Sequence, residues 1–271
     1  MDPKISLSIQ LLLVGISLAA PVGEYDNSNG IETPQNVDIT TLLETNKGSS
    51  RRLIEGDMLY PQTRNALVCG NNNCFWKKNS SNFVEVPYIV SSEYSATEIS
   101  VIQKAMSGIH NKTCIRFVPR ISQTDYISIE NQDGCFAFIG KKGGKQLVSL
   151  RKKGCVYHSI VQHELNHALG FYHEHVRSDR DSYITIHWEY IATNEIRNFM
   201  KKNTNSQNTT YDYGSIMHYG KTAFTTVKGK ETMTPYPDET VPIGKAKEMS
   251  DIDILRINMM YSCNISDDLK I

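Results

Sequence analysis

The run His163-Glu164-Leu165-Asn166-His167-Ala168-Leu169-Gly170-Phe171-Tyr172-His173 decides how the rest of the chain is read. His163 and His167 stand at i and i+4, so on a helix both imidazoles leave one face, a single turn apart. Neutral imidazole is a good zinc ligand, and a catalytic zinc commonly keeps three protein ligands and one open position. Glu164 stands beside the first ligand, where its carboxylate reaches water at that open position. Gly170 accounts for the third ligand: it adopts positive φ, ends the helix and lets the reversed chain bring His173 back to the metal. A helix with incidental surface histidines and a purely structural zinc are the plainer alternatives. The fixed spacing opposes the first, and Glu164 with only three ligands opposes the second. The remaining histidines, His110, His158, His175, His187 and His218, lack ligand spacing and are assigned surface or packing roles.

Outward from this run, the pattern predicts an α+β domain. A helix is expected over His158 to Leu169. Phe83 to Val90 is β-branched and aromatic, which predicts a strand, with Pro87 placing it at an edge. Ser95-Ala96-Thr97-Glu98 has the form of a capping box, and Ile99, Ile102, Met106 and Ile109 continue one helical face. Short strands are expected at Ile115 to Val118, Tyr126 to Glu130 and Gln146 to Leu150. Ser250 and Asp253 make a second capping pattern ahead of Ile254, Ile257 and Tyr261. The stretch 176–249 has few regular signals and reads as loop-rich.

The 271 residues carry 29 basic and 29 acidic side chains, a balance without the electrostatic footprint of a nucleic-acid binder. Residues 1–20 have the layout of a secretory signal: Lys4, an apolar run through Leu11-Leu12-Leu13-Val14, then Ala19 and Ala20. No later segment approaches the ~20 apolar residues of a membrane span. Six cysteines in an exported chain favour three disulfides, with connectivity open on sequence grounds. Glycosylation acceptors stand at Asn79, Asn111, Asn208 and Asn264. Residues 21–64 contain no cysteine and are rich in polar side chains, which predicts an extended, weakly structured leader. Arg64 offers a trypsin-like cleavage point, giving a prosegment 21–64 and a mature protein 65–271.

The longer run His163 to Asp181, with Glu174 directly after the third histidine, resembles the signature of astacin-family zinc endopeptidases. Ser215-Ile216-Met217-His218-Tyr219 resembles the family's Met-turn, and Phe83 to Tyr88, the cysteines and Trp188 agree in spacing. The resemblance covers nearly all of residues 65–263. It implies a metzincin-type catalytic domain, with a twisted mixed sheet and two main helices over about 65–170. A loop-rich C-terminal subdomain ending in a helix follows over about 171–271. It also implies one catalytic zinc held by His163, His167 and His173, with Glu164 as general base and later proton donor. Tyr219 would ligate the resting zinc and then swing to bond the transition state, and Met217 would pack beneath the metal. Glu174 would pair, directly or through water, with the amino group released at Asn65.

Further implications concern latency and biology. Leu53-Ile54-Glu55-Gly56-Asp57 resembles the family's inhibitory Phe-x-Gly-Asp element, with Ile54 in place of the Phe, which makes Asp57 a latency switch on the zinc. The implied disulfides are Cys114–Cys263, Cys135–Cys155 and Cys69–Cys74. That last, extra pair makes the chain similar to six-cysteine fish astacins, which include hatching enzymes and nephrosin-like proteases. The expectation is a secreted, granule-stored, monomeric zymogen that acts on polypeptides, egg-envelope proteins foremost, and neither on nucleic acid nor at a membrane. A leukocyte- or gut-type general protease and an inactive binding protein are the alternatives. The second would have lost a ligand or the base, and this chain keeps both.

Overall fold

Val84 and Val86 point into the core while Glu85 stays exposed, the period-two alternation of a strand with one buried face. In the computed structural model, which describes residues 37, 39–59 and 74–263, this strand (β3, Val84–Val90) lies inside a sheet rather than at its edge. It pairs in parallel with β4 (Ile115–Pro119) on one side and β5 (Tyr126–Glu130) on the other. The edge position expected from Pro87 is therefore corrected. Val84 N–H bonds toward β4 and Ser91 N–H toward β5. By that alternation Pro87 turns its missing donor toward β5, just ahead of the Tyr88–Ile127 pair where β5 begins to bond.

The sheet has seven strands in the order β1-β2-β6-β7-β5-β3-β4, with β6 (Cys135–Ala137) antiparallel to β7 (Lys145–Leu150). Two helices pack on each other beside it. The first, α2 (Ala96–His110), starts at the capping box, with Glu98 N–H donating to Ser95 and Ser95 N–H donating to Glu98. Its buried stripe is Ile102, Ala105, Met106 and Ile109. The second, α3 (His158–Leu169), runs along β6 and β7, is buried from Ser159 to Leu169, and ends where Gly170 takes φ +115°. Beyond it the chain uses short 3-10 turns, a two-stranded sheet of β8 (Ile184–Ile186) and β9 (Met233–Pro235), and a last helix α4 (Asp251–Met260). The Ser250–Asp253 capping box opens α4 as expected. This is the α+β, metzincin-like arrangement that the resemblance implies.

Two disulfides brace the fold. Cys114–Cys263 closes a separation of 149 residues, from the start of β4 to the end of α4. Cys135–Cys155 joins β6 to the approach to α3. By loop entropy a closure as long as the first stabilises the fold by about 2–5 kcal/mol. The Cys69 half of the third pair lies outside the described residues. So do the signal segment, the Arg64–Asn65 boundary and the Asn264 acceptor. Among the described residues no helix is long and apolar enough to cross a membrane.

The segment expected to be a leader departs from expectation in its structure. Residues 39–59 are not weakly structured: they form α1 (Ile39–Asn46) and a hairpin of β1 (Leu53–Ile54) and β2 (Met58–Leu59). β2 joins the large sheet beside β6. Low overall apolar content concealed the spacing, because Ile39, Leu42, Leu43, Leu53 and Met58 fall on buried positions. Asn46 pins the end of α1 with its side-chain amide. Nδ2 donates to Gly56 O and Cys135 O at 2.8 and 2.6 Å, and Oδ1 accepts Cys135 N–H at 2.7 Å.

Candidate metal centre

His163 and His167 project from one face of α3, and the left-handed turn at Gly170 returns His173 to the same point. Their geometry fixes their tautomers. His163 Nδ1 lies 2.8 Å from Ile216 O and His167 Nδ1 2.7 Å from Phe171 O. A carbonyl only accepts, so each Nδ1 carries the proton and each Nε2 presents a lone pair inward. His173 Nδ1 is bonded to the Glu55 carboxylate at 2.9 Å, and its Nε2 also points inward. His163 Nε2 and His173 Nε2 come within 3.3 Å of each other.

Asp57 enters this cluster from the leader. Its Oδ2 lies 3.0 Å from both His163 Nε2 and His173 Nε2, and its Oδ1 3.4 Å from His167 Nε2. The four residues are fully buried, and their ligand atoms all lie within 4.8 Å of one another, the geometry of a metal cage. A proton offers a competing account. Burial lowers the basicity of His173, but the Asp57 and Glu55 carboxylates outweigh it and raise its pKa to about 9, so a protonated His173 could hold Asp57 alone. That account leaves His167 Nε2 and both Glu164 oxygens buried with no partner. It also leaves His163 neutral, its pKa pulled to about 4 chiefly by burial. A dication would take up the inward Nε2 lone pairs of His163 and His167 together with Asp57, and three imidazoles with one carboxylate are the donor set zinc takes.

Glu164, next to the first ligand, is fully buried, and burial first and the Asp57 charge second push its pKa well above the usual carboxylate range. Tyr219 is equally buried. Its ring centre lies 4.4 Å from that of His173, and its hydroxyl has no hydrogen-bond partner. Met217 is buried in the turn that carries Tyr219, and its carbonyl accepts Glu174 N–H. Asp253 of the α4 capping box holds this turn, accepting from Ser215 Oγ–H and Ile216 N–H at 2.6 and 2.9 Å. The cap of the last helix therefore fixes the carbonyl that orients His163.

Glu174 is buried away from the three imidazole Nε2 atoms. Arg256 of α4 grips both its oxygens at 2.5 and 3.0 Å, and Arg177 adds a contact at 3.2 Å. An open cavity of about 820 Å³ adjoins it. Its expected partner Asn65 lies outside the described residues.

The segment that carries Asp57 is shaped by its turn. Asp57 N–H bonds back to Ile54 O, and the two residues between have positive φ, Glu55 at 50° and Gly56 at 82°. This is the type I′ geometry of tight hairpins, which favours glycine. A Cβ at Gly56 would fall 2.7 Å from both the Leu43 and Phe224 side chains. Gly56→Ala is therefore expected to unseat Leu53–Leu59 in the uncut chain. Left-handed strain alone costs about 1–2 kcal/mol, roughly tenfold in docking. Amide exchange of Ala137, whose N–H bonds Asp57 O, reads this directly; unchanged protection would contradict the close fit.

Three groups escaped the sequence reading. Glu55 reaches the far nitrogen of His173, Asn46 occupies the backbone of Cys135, and Asn198 accepts Glu55 N–H through its side chain. The signal for Glu55 was its place two residues before Asp57 in a turn. Asn46 gave none beyond its position at the end of an amphipathic helix. Among the histidines given bland roles, His175 and His218 are fully buried.

Comparison with known proteins agrees with this geometry. A family model described as Astacin, a peptidase family, matches residues 71–262. High choriolytic enzyme 1 of Oryzias latipes is 48% identical over 258 residues, which cover 93% of this chain and 96% of that protein. Low choriolytic enzyme of the same fish is 45% identical over 261 residues, with the same two coverages of 93% and 96%. The solved structure of High choriolytic enzyme 1, a hatching enzyme zinc-protease, superposes with a TM-score of 0.71 at 51% identity. It covers 74% of this chain and 100% of its own.

Proposed function

The chain belongs to the astacin family of zinc metalloendopeptidases, and from that premise we propose that it is a secreted zymogen whose activated form digests egg-envelope protein. The observation that carries the chemistry is the convergence of three imidazole Nε2 atoms beside a buried carboxylate with no partner of its own. His163, His167 and His173 would hold one zinc ion, with the Asp57 carboxylate beside them while the leader is attached. Zinc bound there supplies Lewis acidity, acidifying water and polarising a carbonyl oxygen. Glu164 takes the proton of the attacking water and later returns it to the leaving amine nitrogen. Tyr219 turns its hydroxyl to donate to the oxygen that gains negative charge as the carbonyl becomes tetrahedral. Met217 supports the floor of the site by packing.

Latency resides in the leader. Asp57 holds the position that water and substrate need, Glu55 steadies His173 from behind, and α1 with Asn46 anchors both. Cleavage after Arg64 lets this unit leave. The new amino group at Asn65 then reaches Glu174, directly or through water, and shares it with Arg256 and Arg177. Buried disulfides and an N-terminal secretory pattern support export through an oxidising compartment. The third pair is Cys69–Cys74. The acceptor patterns at Asn79, Asn111, Asn208 and Asn264 suit a glycoprotein, and the activated protein works as a monomer.

The envelope role rests on likeness to choriolytic enzymes along almost the whole chain. Its test compares isolated egg envelopes with casein at equal enzyme. Release of soluble envelope peptides at a kcat/KM at least tenfold above casein supports the role, and equal or lower rates overturn it in favour of a general protease.

A further inference from the structure

Tyr219 does not stand alone. The fully buried ring of His175 lies nearly parallel to its ring, with centroids 4.1 Å apart and planes 23° from each other. His175 is itself held from three directions. Its Nε2–H donates to Asn198 O at 2.9 Å, which fixes the ring plane and the tautomer. Arg180 Nη1 donates to both His175 O and Phe199 O, at 2.7 and 2.9 Å, tying the backbone below the ring to the next turn. The Phe199 ring closes another side, edge-on at 5.5 Å. None of these anchors is itself a leader residue, although the Asn198 side chain also accepts Glu55 N–H.

We propose that His175 is a positioning residue for peptide-bond hydrolysis, a flat platform that keeps the Tyr219 phenol in the plane from which its hydroxyl reaches the reacting carbonyl. Stacked aromatic faces are a preferred arrangement, so the pair favours one plane for the phenol. The proposal rests on the reading of Tyr219 as the group that bonds the transition state. A positioning role confined to that state lowers kcat and leaves KM alone.

The test uses the full chain activated with trypsin, a peptide substrate, and four variants: His175→Leu, His175→Phe, Tyr219→Phe and the double variant His175→Leu/Tyr219→Phe. Leu and Phe both lose the bond to Asn198, and only Phe restores a flat aromatic face. His175→Leu is expected to lower kcat about fivefold to tenfold, the worth of one aromatic pair, with KM within about twofold. His175→Phe is expected to recover kcat to within about threefold of the parent. In the Tyr219→Phe background, His175→Leu is expected to change kcat by less than about twofold, because the hydroxyl it aims is gone. Zinc content by elemental analysis stays at one per chain throughout.

Equal losses from His175→Leu in both backgrounds, or no difference between Leu and Phe, would overturn the platform role. An unchanged kcat in Tyr219→Phe alone would instead remove the reading on which it rests. If His175→Leu fails to fold, His175→Phe in the two backgrounds decides. A tenfold loss in the single variant refutes the stack as the operative contact, and near-parental kcat in the presence of Tyr219 sustains it.

Discussion

Glu164→Gln is expected to lower kcat of the activated protein by about 10³-fold while leaving one zinc per chain, as befits removal of a general base. The substitution is close to isosteric, so the packing of a fully buried side chain is kept. Neither Glu164 oxygen has a hydrogen-bond partner whose loss would disturb the fold. His163 and His167 keep their outer acceptors, Ile216 O and Phe171 O, neither of which involves Glu164. What the amide lacks is the capacity to take a proton. Steady-state kinetics with zinc analysis measures both quantities, and a zinc-loaded Glu164→Gln protein within tenfold of the parent would remove Glu164 from the proposed chemistry.

The second large effect is expected in the uncut chain. Asp57→Asn in a protein with Arg64→Gln, which blocks the proposed activation cut, should show peptide hydrolysis about 10²–10³ above the Asp57 parent. Burial opposes ionisation of Asp57, yet the charges and hydrogen bonds of His173, His167 and His163 win and hold its pKa well below the usual value. The carboxylate is thus ionised and, among the described residues, supplies the only strong bond between the leader and the imidazole cluster besides Glu55 to His173. Breaking one partner of a buried charge pair typically costs about 3–5 kcal/mol, and here that loss falls on the latched state. Activity unchanged from the parent would show that α1 and Asn46 hold the leader without the latch.

Sequence and structure coincide where a local rule had one solution. The i, i+4 histidines, the glycine that ends their helix and the two capping boxes need only neighbouring residues to be understood, and each was legible. Pro87 was misread because its effect depends on where β5 begins, a long-range fact. The leader was misread because composition averages over a segment, whereas burial depends on the spacing of Ile39, Leu42 and Leu43 along one helix face. Asp253 was legible as a cap but not as the support of the 215–219 turn, since that second task joins residues 37 and 38 positions apart. Glu55, Asn46 and His175 act across still longer separations, through partners that no local spacing reveals.

Central to all of this is one ion bound by three histidines and required for hydrolysis. Zinc-free activated protein titrated with zinc, with peptide hydrolysis followed at each addition, tests it most directly. The account predicts negligible rate at the start, a linear rise, and a sharp plateau at about one equivalent, with no such rise in His167→Ala. Full activity before any zinc is added, or the same plateau in His167→Ala, would contradict it.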